Sequence, residues 1–452
     1  MCSVAFRMCP LILFWCIITW PVWARSPKLS LSQLPFFTVW NAPTQSCGSL
    51  YGVDLDLSIF DIIHNQNQTF TGNNITIFYS DKLGLYPYYT KLNESVNGGV
   101  PQNSSLNDHL CQAKADLQKN IPDEDFQGLA VIDWENWRPL WDRNWDTKEI
   151  YRKGSRTLVR AKHPDWGPEQ IEAQSVKDFE GAARAFMEDT LKLGRDKRPS
   201  GLWGYYGFPD CYNYQYKKNS TYRGECPPME VKRNNKMAWL WDISSALYPN
   251  IYLDLSLKGR GRDILLYTKY RIMEAMRIGQ QVSQIHPVII PYARIVYTFS
   301  LEFLSQEDLV HTIGESVALG SAGVVLWGDA SYSKNKSTCT TVKDYIDNIL
   351  GRYMVNVTAA AALCSETLCS SHGRCVRSDP HSSAYLHLDP VMWTIIPRAK
   401  FPDLTTNTPS YVIRMKVGGT VERTNYEEQF KCQCFTGFEG DHCQKQVAHK
   451  PG

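Results

Sequence analysis

GLAVIDWENWRP, residues 128–139, runs an apolar stretch straight into two carboxylates, Asp133 and Glu135. In an extended chain positions i and i+2 face the same way, so the two acids stand side by side. There each disfavours the other's charge, and one of them keeps its proton at a pH where a lone acid would have lost it. The same stretch also fits an exposed strand end with solvated acids. Its neighbours in the chain bear on the choice. Comparable runs recur as FFTVWN (36–41), ITIFY (75–79), LWGYYGF (202–208), NIYLD (250–254), PVIIPY (287–292) and AGVVLWG (322–328).

Helical patterns separate these seven candidate strands. Val176, Phe179, Ala183, Phe186 and Thr190 follow a 3,4,3,4 spacing stopped by Gly194 and Pro199, and Ser305 with Asp308 makes a capping box before Leu309, Ile313 and Val317. The alternation predicts an α/β fold with parallel strands buried on both faces. Such strands can close into a TIM-like (β/α) barrel, which keeps its chemistry at the C-terminal strand ends. Asp133 and Glu135 stand at one such end. Tyr79, Tyr206, Asp210, Tyr252 and Trp327 stand at others. Singly, each fits a core aromatic or a loop polar group better than a functional one; their common position argues for a site.

Residues 1–24 read as a secretory signal peptide: Arg7 precedes LILFWCIITW, and Ala24 closes a small-residue cleavage site. The C-terminus, HCQKQVAHKPG, has no hydrophobic tail for a lipid anchor, so the expected product is soluble, secreted or lysosomal. Seven sequons, at Asn67, Asn74, Asn93, Asn103, Asn219, Asn335 and Asn356, fit that route. Net charge falls from +2 to about +1 when the leader leaves, and no basic block argues for nucleic acid. With 14 Trp and 24 Tyr the chain is rich in flat rings, most of them core but some suited to stacking on sugars. No pattern calls for a cofactor or a metal, and a monomer is expected.

Of the 14 cysteines, three leave with the leader and 11 remain, so at least one is unpaired within the chain. Cys364, Cys369, Cys375, Cys432, Cys434 and Cys443 crowd the C-terminal end. Zinc is the competing use for them, but an oxidising compartment favours disulfides. Their order resembles an epidermal-growth-factor-like module, which implies pairs 364–375, 369–432 and 434–443. The long gap 376–431 is then an insertion with strands of its own. The expected organisation is leader 1–24, catalytic barrel 25–363, module 364–445 and polar tail 446–452.

Five separated motifs, GLAVIDWENWRP, LWGYYGFPDCYN, SALYPNIYLD, GGVPQN and GVVLWGD, together resemble the vertebrate hyaluronidases (glycoside hydrolase family 56) over about residues 33–443. KHPDW, LGLYP and LWGDA resemble the hyaluronidase-2-like branch most. The resemblance implies a distorted TIM-like (β/α) barrel, consistent with the seven candidate strands, and endo-hydrolysis of β-1,4 N-acetylhexosaminide bonds in hyaluronan, and more slowly in chondroitin. It implies a retaining reaction in which the substrate's acetamide is the nucleophile. Glu135 would be the general acid and then the base, and Asp133 would orient the acetamide. Tyr206, Asp210 and Tyr252 match residues around the acetamide, Trp327 the wall of the hexosamine subsite, and Tyr79 and Tyr292 further contacts. Arg138 fits a structural ion pair and a substrate contact equally, and Arg294 could meet a glucuronate. The family pattern also implies the bridges 47–339 and 211–226, which leaves Cys111 over. A hyaluronan-binding or adhesion protein with little activity is the alternative.

Overall fold

The computed structural model describes residues 30–55, 57, 62–217, 221–282, 286–397, 411–416 and 424–447; the expected leader and Asn219 lie outside them. Nine short strands carry the architecture: β1 (Phe37–Asn41), β2 (Ile63–His64), β3 (Ile75–Phe78), β4 (Leu129–Ile132), β5 (Leu202–Tyr205), β6 (Ala246–Leu247), β7 (Val288–Ile289), β8 (Tyr292–Ala293) and β9 (Gly323–Trp327). All their pairings are parallel, in the sheets β8–β9–β1–β2, β3–β4–β5 and β6–β7. Parallel bridges Tyr206↔Tyr248 and Asn250↔Tyr292 join these sheets into one run from β2 round to β3.

The two ends of the run meet through side chains. The buried Asn65 amide donates to Ile75 O (2.6 Å) and Thr69 O (2.8 Å) and accepts from the backbone N–H groups of Asn74 and Ile75, both 3.1 Å. Asn74 returns a bond to His64 O at 2.6 Å. A side-chain amide, with two donors and an acceptor, thus supplies what a backbone ladder supplies elsewhere.

Alternation along the strands sets the layers. Leu129 and Val131 of β4 pack inward with Val39, Ile77, Leu202 and Val325. Ala130 and Ile132 face outward against Phe179, Ala183 and Phe186 of the helix Pro168–Lys197. Each such fully buried aliphatic side chain contributes roughly 1.5–3 kcal/mol of transfer free energy. Gly204 fits where nothing larger does, since a Cβ there would meet Ala246 O at 2.1 Å.

Two expected strands differ. NIYLD is not a strand; pairing at this position of the run is confined to Ala246–Leu247 and to isolated bridges at Tyr248, Asn250 and Asp254. PVIIPY divides into β7 and β8, interrupted at Pro291, which has no N–H for a ladder. The helix begun by the Ser305–Asp308 capping box is present, with a π turn at Val310–Gly314 before Glu315–Ala318.

Beyond the helix Gly351–Leu368, strand Gly373–Arg377 pairs antiparallel with Phe430–Cys434, and Trp393–Pro397 with Tyr411–Met415. Disulfides join Cys47–Cys339, Cys211–Cys226, Cys364–Cys375, Cys369–Cys432 and Cys434–Cys443. Cys111 is free and exposed. Arg377 anchors this C-terminal part to the preceding helices: its guanidinium meets Glu315 bidentately at 2.9 and 3.0 Å, both side chains fully buried, and Lys269 adds a third charge at 3.7 Å. Among the described residues no helix is long and apolar enough to cross a membrane.

Candidate functional site

The site is built on the ends of β3, β4 and β5. Asp133 N–H donates to Phe78 O (2.9 Å) and Tyr206 N–H to Ile132 O (3.0 Å), so the chain stays in register one residue past each strand. Asp133 therefore continues the inward parity of Leu129 and Val131. Its Oδ1 is buried and has no hydrogen-bond partner. Burial, with Glu135 second and Arg138 opposing, pushes its carboxyl up to about 8. Glu135 is different: its side chain is 58% exposed, and Arg138 Nη2 stands 3.7 Å from its Oε1. The pair thus divides into a buried acid that keeps a proton and an open one that faces solvent.

Around Asp133 runs an arc of five aromatic side chains: Tyr79, Tyr206 and Trp327 at the ends of β3, β5 and β9, Tyr292 in β8, and Tyr252 from the segment after β6. Trp327 Nε1–H donates to the Tyr79 hydroxyl at 3.1 Å, and the Trp327 ring stacks on Tyr252 with centroids 5.9 Å apart. Tyr252 lies 6.0 Å from Tyr206, and Tyr206 5.0 Å from Tyr292. Burial pushes all four phenols upward, and the charge of Asp133 adds to the push, so they remain neutral hydroxyls. The Tyr292 hydroxyl is buried without a partner.

The charged residues sort differently. Asp210 is held by Arg143 Nη2 (2.8 Å) and Arg271 Nη1 (3.5 Å). Burial alone would raise its carboxyl; Arg271 and Arg143 outweigh it and hold it below the usual range. Arg138 lies over the Phe208 ring (5.4 Å) and donates to Glu135 O at 3.4 Å, an ion-pairing and bracing position beside the open acid. Arg294 sits 5.0 Å from the Trp327 ring with its Nη2 on Asp329 at 2.9 Å.

Three residues here escape a reading of the sequence. Asn250 donates to the Tyr206 hydroxyl (2.6 Å) and accepts from Tyr252 N–H (2.7 Å), fixing two rings of the arc. Asn41 ends β1 in register with Trp327, fully buried, with both polar atoms of its amide unpartnered. Its signal was available, since FTVWN is an apolar run ending on a polar group, as GLAVID is. Lys148 donates to the backbone carbonyls of Glu135 and, at 3.1 Å, Asn136. Nothing local in the sequence connects it to them.

The hyaluronidase family profile matches residues 25–447. The chain belongs to the hyaluronidase family. It is 46% identical over 415 residues to hyaluronidase-1 of Homo sapiens, covering 92% of this chain and 93% of that one. It is 45% identical over 416 residues to a hyaluronidase of Crotalus adamanteus, covering 91% and 90%. Among solved structures, bee venom hyaluronidase superposes with a TM-score of 0.64 at 32% identity, covering 71% of this chain and 99% of that one. A second structure of that enzyme, in complex with a hyaluronic acid tetramer, matches with the same score over 70% of this chain and 98% of that one. This hyaluronidase therefore has the α/β fold of the bee venom enzyme, with five disulfides among the described residues.

Proposed function

We propose that this hyaluronidase hydrolyses the β-1,4 N-acetylhexosaminide bonds of hyaluronan, and those of chondroitin more slowly, with retention and with the substrate's acetamide as nucleophile. The observation that carries the reading is the buried, unpartnered Oδ1 of Asp133 inside an arc of neutral phenols. Such an oxygen lacks a donor, and an acetamide N–H is a donor of the right kind. Accepting it would favour the ionised form of Asp133, and the proton held by the pair would pass to Glu135. Glu135, open to the cleft, then protonates the leaving oxygen, and afterwards its carboxylate activates water. Asp133 meanwhile faces the positive charge that develops on the acetamide as its oxygen attacks the anomeric carbon. Trp327 and Tyr252 offer flat walls to the hexosamine. Asp210, held by two arginines, braces the loop that follows Tyr206 beside the acetamide.

The strand run is read as a closed (β/α) barrel, the cysteine-rich end as a growth-factor-like module, and the sequons as glycan sites on a secreted or lysosomal monomer. Placement in the hyaluronidase-2-like branch rests on three short motifs only, and the similar proteins include hyaluronidase-1. The test is product analysis: purified protein is incubated with hyaluronan and the products are sized and their reducing ends identified. Even-numbered oligosaccharides ending in N-acetylglucosamine are expected. Polymer that stays intact while remaining bound would show a binding protein instead.

A further inference from the structure

A cleft of about 520 Å³ opens beside Glu135, which lines it together with, among others, Tyr89, Thr90, Asn136, Lys148 and Tyr151. Its volume is that of a small-ligand site. Neither Asp133 nor any of the rings that surround it lines this cleft, so Glu135 is the member of the acid pair that borders it. Lys148 is the half-buried cation of this cleft. Two of its three N–H donors go to the carbonyls of Glu135 and Asn136. Among the described residues it makes no ion pair: the adjacent Glu149 is taken by Arg152 (3.3 Å) and Arg156 (2.8 Å). A partly desolvated ammonium without a close ion pair is costly: burial first, then Arg138, lowers its pKa to about 8, and the Glu135 carboxylate opposes them only in part.

A sugar with a carboxylate would supply the missing charge. On the leaving side of an N-acetylhexosaminide bond in hyaluronan or chondroitin stands a glucuronate, whose carboxylate is borne by the carbon next to the one carrying the bridging oxygen. Glu135 must reach that oxygen, so the carboxylate falls beside Glu135. We infer that the cleft is the leaving-group subsite and that the third donor of Lys148 binds the carboxylate of its glucuronate. This rests on the hyaluronan-hydrolysing reading above. It makes Lys148 a substrate-binding residue as well as the brace under Glu135.

The experiment compares two competitive inhibitors of hyaluronan cleavage, the disaccharide glucuronyl-N-acetylglucosamine and its methyl ester, against the parent, Lys148→Met, Lys148→Gln and Lys148→Arg. For the parent the acid should bind about ten-fold or more tightly than the ester, as expected for a charge-assisted hydrogen bond. In the Met and Gln variants that ratio should collapse toward unity, and in the Arg variant most of it should survive. Because the ratio is taken within each protein, a general loss of turnover from disturbing Glu135 does not move it. A ratio unchanged in Lys148→Met, or a parent that does not distinguish acid from ester or binds neither, overturns the inference while leaving hyaluronan cleavage intact. A parent that does not cut hyaluronan overturns the functional reading, and this one with it.

Discussion

Asp133 and Glu135 are two residues apart yet occupy different media, and that difference decides what each can do. Glu135→Gln preserves shape but removes the proton donor, so turnover of hyaluronan should fall by about 10² or more while polymer binding persists. Near-parental turnover would remove Glu135 from the role of acid. Asp133 carries a pH signature. Its folded-state pKa of about 8 lies above the 3.8 usual for an aspartate, so the folded protein holds a proton that the unfolded chain releases within that window. Stability from this group is complete below the lower value and is lost as pH rises through the upper one. Asp133→Asn is neutral throughout. Its melting temperature should match the parent's near pH 4, exceed it by a growing margin toward pH 8, and keep a constant margin beyond. A margin independent of pH would show that Asp133 is ionised in the free protein.

At the scale of elements, the sequence declares strands that are long, β-branched and continuous, and it conceals those that are short. GLAVID, ITIFY and AGVVLWG become β4, β3 and β9 because aliphatic side chains on both faces suit a strand buried on both sides. Ala246–Leu247 is hidden within SSALYPN, which has no β-branched residue, while NIYLD looks like a strand and is held by the Asn250 side chain and isolated bridges. The acids and rings of the site were legible because they share strand ends. The partners of Asp210 were not, since Arg143 and Arg271 arrive from far away in the chain. The closure between β2 and β3 was equally hidden, as no periodicity marks one asparagine among several. It is testable: Asn65→Ala leaves buried backbone groups of Asn74 and Ile75 without partners and should cost about 2–4 kcal/mol in denaturant unfolding. Asn65→Asp, which keeps an acceptor but loses both donors, should also destabilise. A loss below about 0.5 kcal/mol for Asn65→Ala would show that the junction closes without the amide.

Across the whole molecule, the C-terminal part is bound to the rest by charge as well as by its covalent link through the helix Gly351–Leu368. Removing one member of a buried ion pair strands the other, so Arg377→Met should cost about 3–5 kcal/mol, with Lys269 a poor substitute at 3.7 Å. Arg377→Met combined with Glu315→Leu and Lys269→Met removes all three charges and should recover much of that loss in the same melting assay. Failure of the triple variant to recover would show that the shape of the buried side chains, and not their charge, holds this junction. The bridge between Cys47 and Cys339 acts on a longer scale. Those residues are 292 apart in sequence, yet each follows closely on one of the neighbouring strands β1 and β9. The chain between them is consequently a covalent ring. A protease that opens a loop once within this ring releases no fragment; it converts a ring into a line whose ends stay tied at the cystine. Nicked protein should therefore migrate as a single species without reductant and separate into pieces only when the cystines are reduced.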